Sequence, residues 1–202
     1  MHPARPFRQY DEALLADLVL KRGFAIVVGV ADGRPLVAQV PVLLDGRRLR
    51  FHLSRSNALT PVLATEGAGA LVVVAGPDAY ISPDWYGVAD QVPTWNYLSV
   101  ELEGPVVPLD ADGATALLDD LSARHEAGLA PKPAWTRQKM SPGRFETLRD
   151  GIAAFEMTVD RLEGVWKLGQ NKPAEAIAAV AEALEARPDP GSRDIAGLMR
   201  RL

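Results

Sequence analysis

Two aspartate–glycine pairs, Asp32-Gly33 and Asp45-Gly46, each set between runs of β-forming residues, constrain this chain more than any other feature. An Asp-Gly pair accepts positive φ in a tight turn, and the twist of such a turn matches that of the strands it joins. The flanking segments Phe24–Val30, Pro35–Leu44 and Arg47–Ser54 are therefore expected to form consecutive antiparallel strands. The third alternates cleanly, with Leu49, Phe51 and Leu53 on one face and Arg48, Arg50, His52 and Ser54 on the other. The apolar face belongs to a core; the basic face belongs to solvent or to an anion.

The rest of the chain extends this pattern. Residues 11–22 carry Leu14, Leu15, Leu18 and Val19 at helical spacing, and Gly23 stops the helix. A short helix is predicted over 57–65 with Ser56 or Asn57 as N-cap, followed by a central apolar strand over Ala70–Ala75. A long strand is predicted from Thr94 to Val107, ended by Pro105 and Pro108. Asp110–Glu126 is a helix with Ala114, Leu117, Leu118 and Leu121 on its buried stripe. A short helix near Gly143–Arg149 leads to a last strand from Ile152 to about Trp166. Pro173 opens a helix to about Arg187, and Ile195, Leu198 and Met199 line an amphipathic tail. Strands joined mostly by hairpins, with helices at the ends and no βαβ alternation, predict a mainly β, barrel-like fold.

Composition excludes several classes. A chain of 202 residues, 48% hydrophobic and 24% charged, is an ordinary globular domain, able to bury about 70% of its unfolded surface. No apolar run is long enough to cross a bilayer, and the N-terminus lacks the apolar segment of a signal peptide. With no cysteine the fold cannot depend on disulfides, and a cytoplasmic location is expected. A net charge of −4 argues against coating nucleic acid, although Arg47, Arg48, Arg50, His52 and Arg55 form a local basic patch. Three histidines (His2, His52, His125) without cysteine predict no metal site, and His125 reads as a helix-surface or partly buried residue. No nucleophile elbow, P-loop or dinucleotide fingerprint is present.

Two constellations remain. His52-Leu-Ser-Arg-Ser-Asn57 brings a basic strand face to a helix start, where amides, hydroxyls and a guanidinium suit a phosphate monoester. The alternative is a solvated arginine-rich edge strand with a routine cap. The stretch from Gly76 to Gly104 gathers Tyr80, Trp85, Tyr86, Trp95 and Tyr97, which either pave a pocket for a flat ligand or seal an interface.

The blocks His52-x-x-Arg55-x-Asn57, Gly76-Pro-Asp-Ala-Tyr-Ile-Ser-Pro-Asp-Trp-Tyr86, Val92-Pro-Thr-Trp-Asn-Tyr97 with Val100 and Gly104, and Lys167-Leu-Gly-Gln-Asn171 resemble, in this order, the PaiB-type FMN-binding negative transcriptional regulators. That family belongs to the flavin-binding split-barrel superfamily, together with pyridoxamine-phosphate oxidase. The resemblance implies a six-stranded antiparallel split β-barrel with peripheral helices. It implies a barrel domain over 1–170, with 171–202 as a C-terminal helical extension packed on it. It further implies a homodimer that binds FMN at the subunit interface.

Carried across by position, Ala38, Gln39, Val40 and Pro41 would edge the isoalloxazine, and His52, Ser54, Arg55 and Asn57 would lie near the phosphate end. Trp95, Asn96 and Tyr97 would wall the ring, and Lys167, Gln170 and Asn171 would close the site. Trp95 and Tyr97 packing a dimer, and Gln170 and Asn171 capping the helix at Pro173, are the alternatives. Haem is a secondary cofactor candidate, with His52 or His125 as ligand. The functional expectation is a flavin-linked redox or sensing protein, an FMN-dependent oxidoreductase if it is an enzyme. Direct repression of transcription on DNA is the alternative, although no helix-turn-helix is evident.

Overall fold

The computed structural model describes residues 3–202, so His2 lies outside the described residues. Among them, eight strands form an antiparallel sheet accompanied by six α-helices, where the resemblance implied six strands. The chain divides into two compact units, one of residues 19–74 and 102–162, the other of residues up to 18, 75–101 and 163–202.

The first unit is built on the expected hairpins. Strand β2 (Phe24–Ala31) turns through Asp32 (φ 50°) and Gly33 (φ 75°) into β3 (Arg34–Asp45), with Val28 opposite Val37 and Phe24 opposite Pro41. Gly46 (φ 57°) leads on to β4 (Arg48–Ser54), where Phe51 stands opposite Val42. All of β4 pairs with β7 (Ile152–Thr158), and β7 pairs again with Val106–Pro108 of β6 (Thr94–Pro108). On the other side β2 takes Leu71–Val73 of β5 (Gly69–Ile81), so the order within this unit is β5-β2-β3-β4-β7-β6.

Strand alternation builds the core. Val27, Val40, Val42, Leu49, Phe51, Val72, Leu102, Phe155 and Met157 are buried, and the Phe51 and Phe155 rings stack at 5.7 Å. Strand β6 crosses close to β7 because Gly104 has no side chain: a Cβ there would fall 1.8 Å from the Thr158 carbonyl oxygen. Helix α1 (Glu12–Arg22) ends at Gly23 (φ 58°), as its sequence implies. The short helix α2 spans only Leu59–Leu63 and presses Leu59 toward Gly29. Helix α3 (Ala111–Ala127) is capped by Asp110, which accepts the Gly113 N–H at 2.8 Å. Its Ala114, Leu117 and Leu121 pack on Ala154, with Leu43, Leu109 and Ile152 at the margin. Helix α4 (Arg144–Arg149) precedes β7.

In the second unit the order is β1-β8-β6-β5, with β1 (Arg8–Gln9) pairing Gly164 and Val165 of β8 (Arg161–Lys167). Helices α5 (Ala174–Glu185) and α6 (Pro190–Met199) bury Val180, Ala181 and Leu184 together with Ile195, Ala196 and Met199.

Three expectations change. The strand read over Ala70–Ala75 continues to Ile81, because buried Ala79 and Ile81 flanking exposed Tyr80 sustain the alternation. Pro105 lies inside β6 and does not end it. The last strand is two: the chain leaves the ladder at Val159 and Asp160, whose N–H groups donate to Arg47 O at 2.8 Å and to Glu103 O at 2.9 Å.

Candidate functional site

In the first unit, Pro41 opens a gap between two neighbouring strands. Val42 donates its N–H to Gly23 O at 3.0 Å, on the β2 side. Successive residues of a strand turn their N–H groups to opposite edges, so the nitrogen of Pro41 faces β4 and has no proton to offer it. The β3–β4 register accordingly ends at Val42 opposite Phe51, while Ala38–Pro41 stay paired with β2 and His52–Ser54 with β7. A groove of about 420 Å³ lies there, lined by residues including Ala38, Gln39, Val40, Pro41, His52, Ser54 and Asn57.

The donors in and beside this groove are partly engaged; Arg55 and Ser56 lie outside its lining. Burial lowers the His52 pKa and holds the imidazole neutral, and its buried Nδ1 has no partner among the described residues. Ser54 and Ser56 hydroxyls meet at 2.8 Å. The side chain of Asn57 accepts the Leu59 N–H at 2.9 Å, and Ala58, not Ser56 or Asn57, is the N-cap of α2. A five-residue helix with its first amide satisfied is a weaker phosphate anchor than the sequence implied. Arg55 donates Nε to Asp150 O at 2.8 Å; its outer nitrogens have no partner among the described residues. The basic face of β4 is largely neutralised, since Arg50 meets Asp120 at 2.9 Å and Arg48 meets Asp45 at 3.0 Å.

The remaining candidates all belong to the second unit, where alternation separates them. Asn96 is buried, while its neighbours Trp95 and Tyr97 take the opposite face of β6. Trp95 is 54% exposed and meets Tyr80 edge-on at 6.2 Å. Gln170 clips its own loop, accepting the Leu168 N–H at 2.8 Å and donating to Trp166 O. Asn96, Lys167 and Asn171 line a second cavity of about 230 Å³ with Phe7, Tyr86 and Lys172. His125 lines neither space and lies against Gly23 at the end of α3.

Sequence reasoning missed Leu148, Gly151 and Ile152 in the groove and Phe7 and Lys172 in the cavity, whereas Tyr86 belongs to the aromatic stretch read as a pocket wall or an interface seal. The first three arrive through the pairing of β7 with β4, a long-range register that no local pattern announces. Lys172 was legible only as part of the loop before Pro173.

These features define a class first: an antiparallel β protein with a ligand-sized groove where adjacent strands separate. The chain belongs to the family described as "Putative FMN-binding domain", whose model matches residues 1–161. It is 27% identical over 202 residues to the Bacillus subtilis (strain 168) protease synthase and sporulation protein PAI 2, spanning 98% of this chain and 96% of that one. The FAD and heme binding protein from Mycobacterium smegmatis superposes with a TM-score of 0.60 at 24% identity, covering 85% of this chain and 79% of its own. The flavocytochrome Anf3 from Azotobacter vinelandii superposes with a TM-score of 0.62 at 16% identity, covering 82% and 72%. At these identities the two structures share the fold.

Proposed function

We propose that this chain is a homodimeric FMN-binding protein with a redox or sensing role, its flavin held in the groove between β3 and β4. The observation that carries this reading is the gap at Pro41: two strand edges, a neutral imidazole whose Nδ1 has no partner among the described residues, and the Ser54 hydroxyl all border it. A flavin needs apolar walls, a few hydrogen bonds to its pyrimidine edge and donors for its phosphate, and these residues are of those types. Gln39, Val40 and Pro41 would edge the ring, and Ser54, Arg55 and Asn57 would attend the phosphate. FMN, once bound, supplies the electron chemistry. We read β5-β2-β3-β4-β7-β6 as the six strands of the split barrel, with β1 and β8 as additions.

The dimer reading rests on a different surface. On the outer face of β2 and β3, Phe24, Ile26, Val30 and Val37 are 51%, 36%, 62% and 54% exposed. The register places Val28 beside Val37 on this face, making a continuous apolar strip of the kind that marks an interface. A second copy seated there would bury the strip, and Trp95 and Tyr97 of that copy are the candidates to wall the flavin. Direct DNA binding draws less support, because Arg48 and Arg50 already face carboxylates.

The test is an absorption spectrum of purified protein combined with an FMN fluorescence titration. Saturable quenching is expected; a colourless protein that leaves FMN fluorescence unchanged refutes the flavin reading.

A further inference from the structure

The cavity lined by Asn96 and Lys167 lies wholly within the unit that carries α5 and α6, and the flavin reading of the groove leaves its chemistry unexplained. Asn96 is 1% exposed, and its Oδ1 has no hydrogen-bond partner among the described residues. Its Nδ2 is held by Met199 Sδ at 3.4 Å, which fixes the amide and leaves the carbonyl oxygen as an unmet acceptor. An unmet buried acceptor costs about 1–3 kcal/mol, and a donor supplied from outside would recover it.

Two ammonium groups border the same cavity. Lys167 reaches the Thr94 hydroxyl, and Lys172 donates to Gln91 Oε1 at 2.5 Å and stands 5.3 Å from the Tyr86 ring centroid. Neither forms a salt bridge among the described residues, and the lining also holds one carboxylate, Asp90. Burial also lowers the Lys167 pKa, as expected of an ammonium that lacks a counter-ion. Phe7, Tyr86 and Val92 supply an apolar wall.

We propose that this cavity is a second ligand site, for a small carboxylate bearing a hydrogen-bond donor on the adjacent carbon. The carboxylate meets Lys167 and Lys172, the donor meets Asn96 Oδ1, and the short apolar remainder lies against Phe7 and Tyr86. About 230 Å³ suits a 2-hydroxy or 2-amino acid and is small for a flavin. The site therefore goes beyond the flavin reading and survives or fails separately from it.

Calorimetric titration of the full chain with sodium lactate, sodium propionate and lactamide tests the assignment, since propionate lacks the donor and lactamide lacks the charge. Lactate should bind tightest, in the millimolar range natural to so small a ligand. Asn96→Ala should bring lactate down to the propionate level, about 2- to 10-fold, and Lys167→Met should weaken both acids about 10-fold or more. Lys172→Gln serves as the second variant, with a loss of about 2- to 10-fold for both acids. FMN titration in saturating lactate should match that without it. Absence of heat with all three compounds, lactamide binding equal to lactate, or lactate competing with FMN would each overturn the proposal. Lactate binding in a protein that ignores FMN would leave this site standing and remove the flavin reading instead.

Discussion

Replacing Pro41 by valine tests the origin of the groove. In the native chain the nitrogen at position 41 faces β4 without a proton, and the β3–β4 register ends one residue away, at Val42 opposite Phe51. Valine restores the donor and a β-branched side chain, so the next rung, to His52, can form. One such rung is worth about 1 kcal/mol. Losing the ring's restriction of the unfolded chain costs about 0.4–1 kcal/mol, so the two effects nearly cancel in global stability. They do not cancel in binding. A groove held shut by about 1 kcal/mol presents its open form about 5-fold less often, and the apparent FMN dissociation constant rises by that factor. Fluorescence titration reads the affinity, and hydrogen exchange at His52 and Ser54 reads the new rung. An FMN affinity equal to that of the native protein, in a variant whose exchange shows the rung formed, refutes the link between the gap and the ligand.

Other expectations follow from single contacts. Val37→Glu sets a carboxylate in the apolar strip on β2 and β3 and should raise the dimer dissociation constant about 100-fold, read by light scattering; an unchanged mass rules out this face. Gly104→Ala places a methyl group 1.8 Å from the Thr158 oxygen and should cost about 3 kcal/mol or more in urea denaturation; a loss under about 1 kcal/mol means β6 can shift without penalty. For His52, burial lowers the folded-state pKa, so the unfolded chain binds the proton more readily as pH drops below the ordinary histidine value of about 6.5. Stability contributed by neutral His52 is thus present above that value and lost below it. Denaturation at pH 7.5 and 5.5 should show a smaller acid loss in His52→Gln than in the native chain, and parallel losses would contradict the burial.

The hairpins were readable because Asp32-Gly33 and Asp45-Gly46 state their turn chemistry locally; the first turn falls on Asp32-Gly33 as expected, and the second falls one residue later, on Gly46-Arg47, with Asp45 still paired to Arg48. Alternation in β4 was equally plain. Gly76 and Pro77 read as a loop because neither favours a strand, yet tertiary packing of Ala79 and Ile81 carries β5 through them. The division of Trp95 and Tyr97 from Asn96 was legible in principle, since neighbours on a strand face opposite ways, but the family resemblance grouped them by sequence proximity. The gap at Pro41 was not legible, because it depends on which edge of β3 faces β4, and only the pairing with β2 decides that.

Among the exposed large side chains, the indole at position 95 leans edge-on against the phenol of Tyr80 with more than half its surface in water. Such a ring is a built-in optical probe: iodide can reach it, and anything that settles over it changes both its emission and its accessibility. Because three other tryptophans also emit, the difference in emission between the native chain and a Trp95→Phe variant will report assembly or ligand capture at this ring without a label.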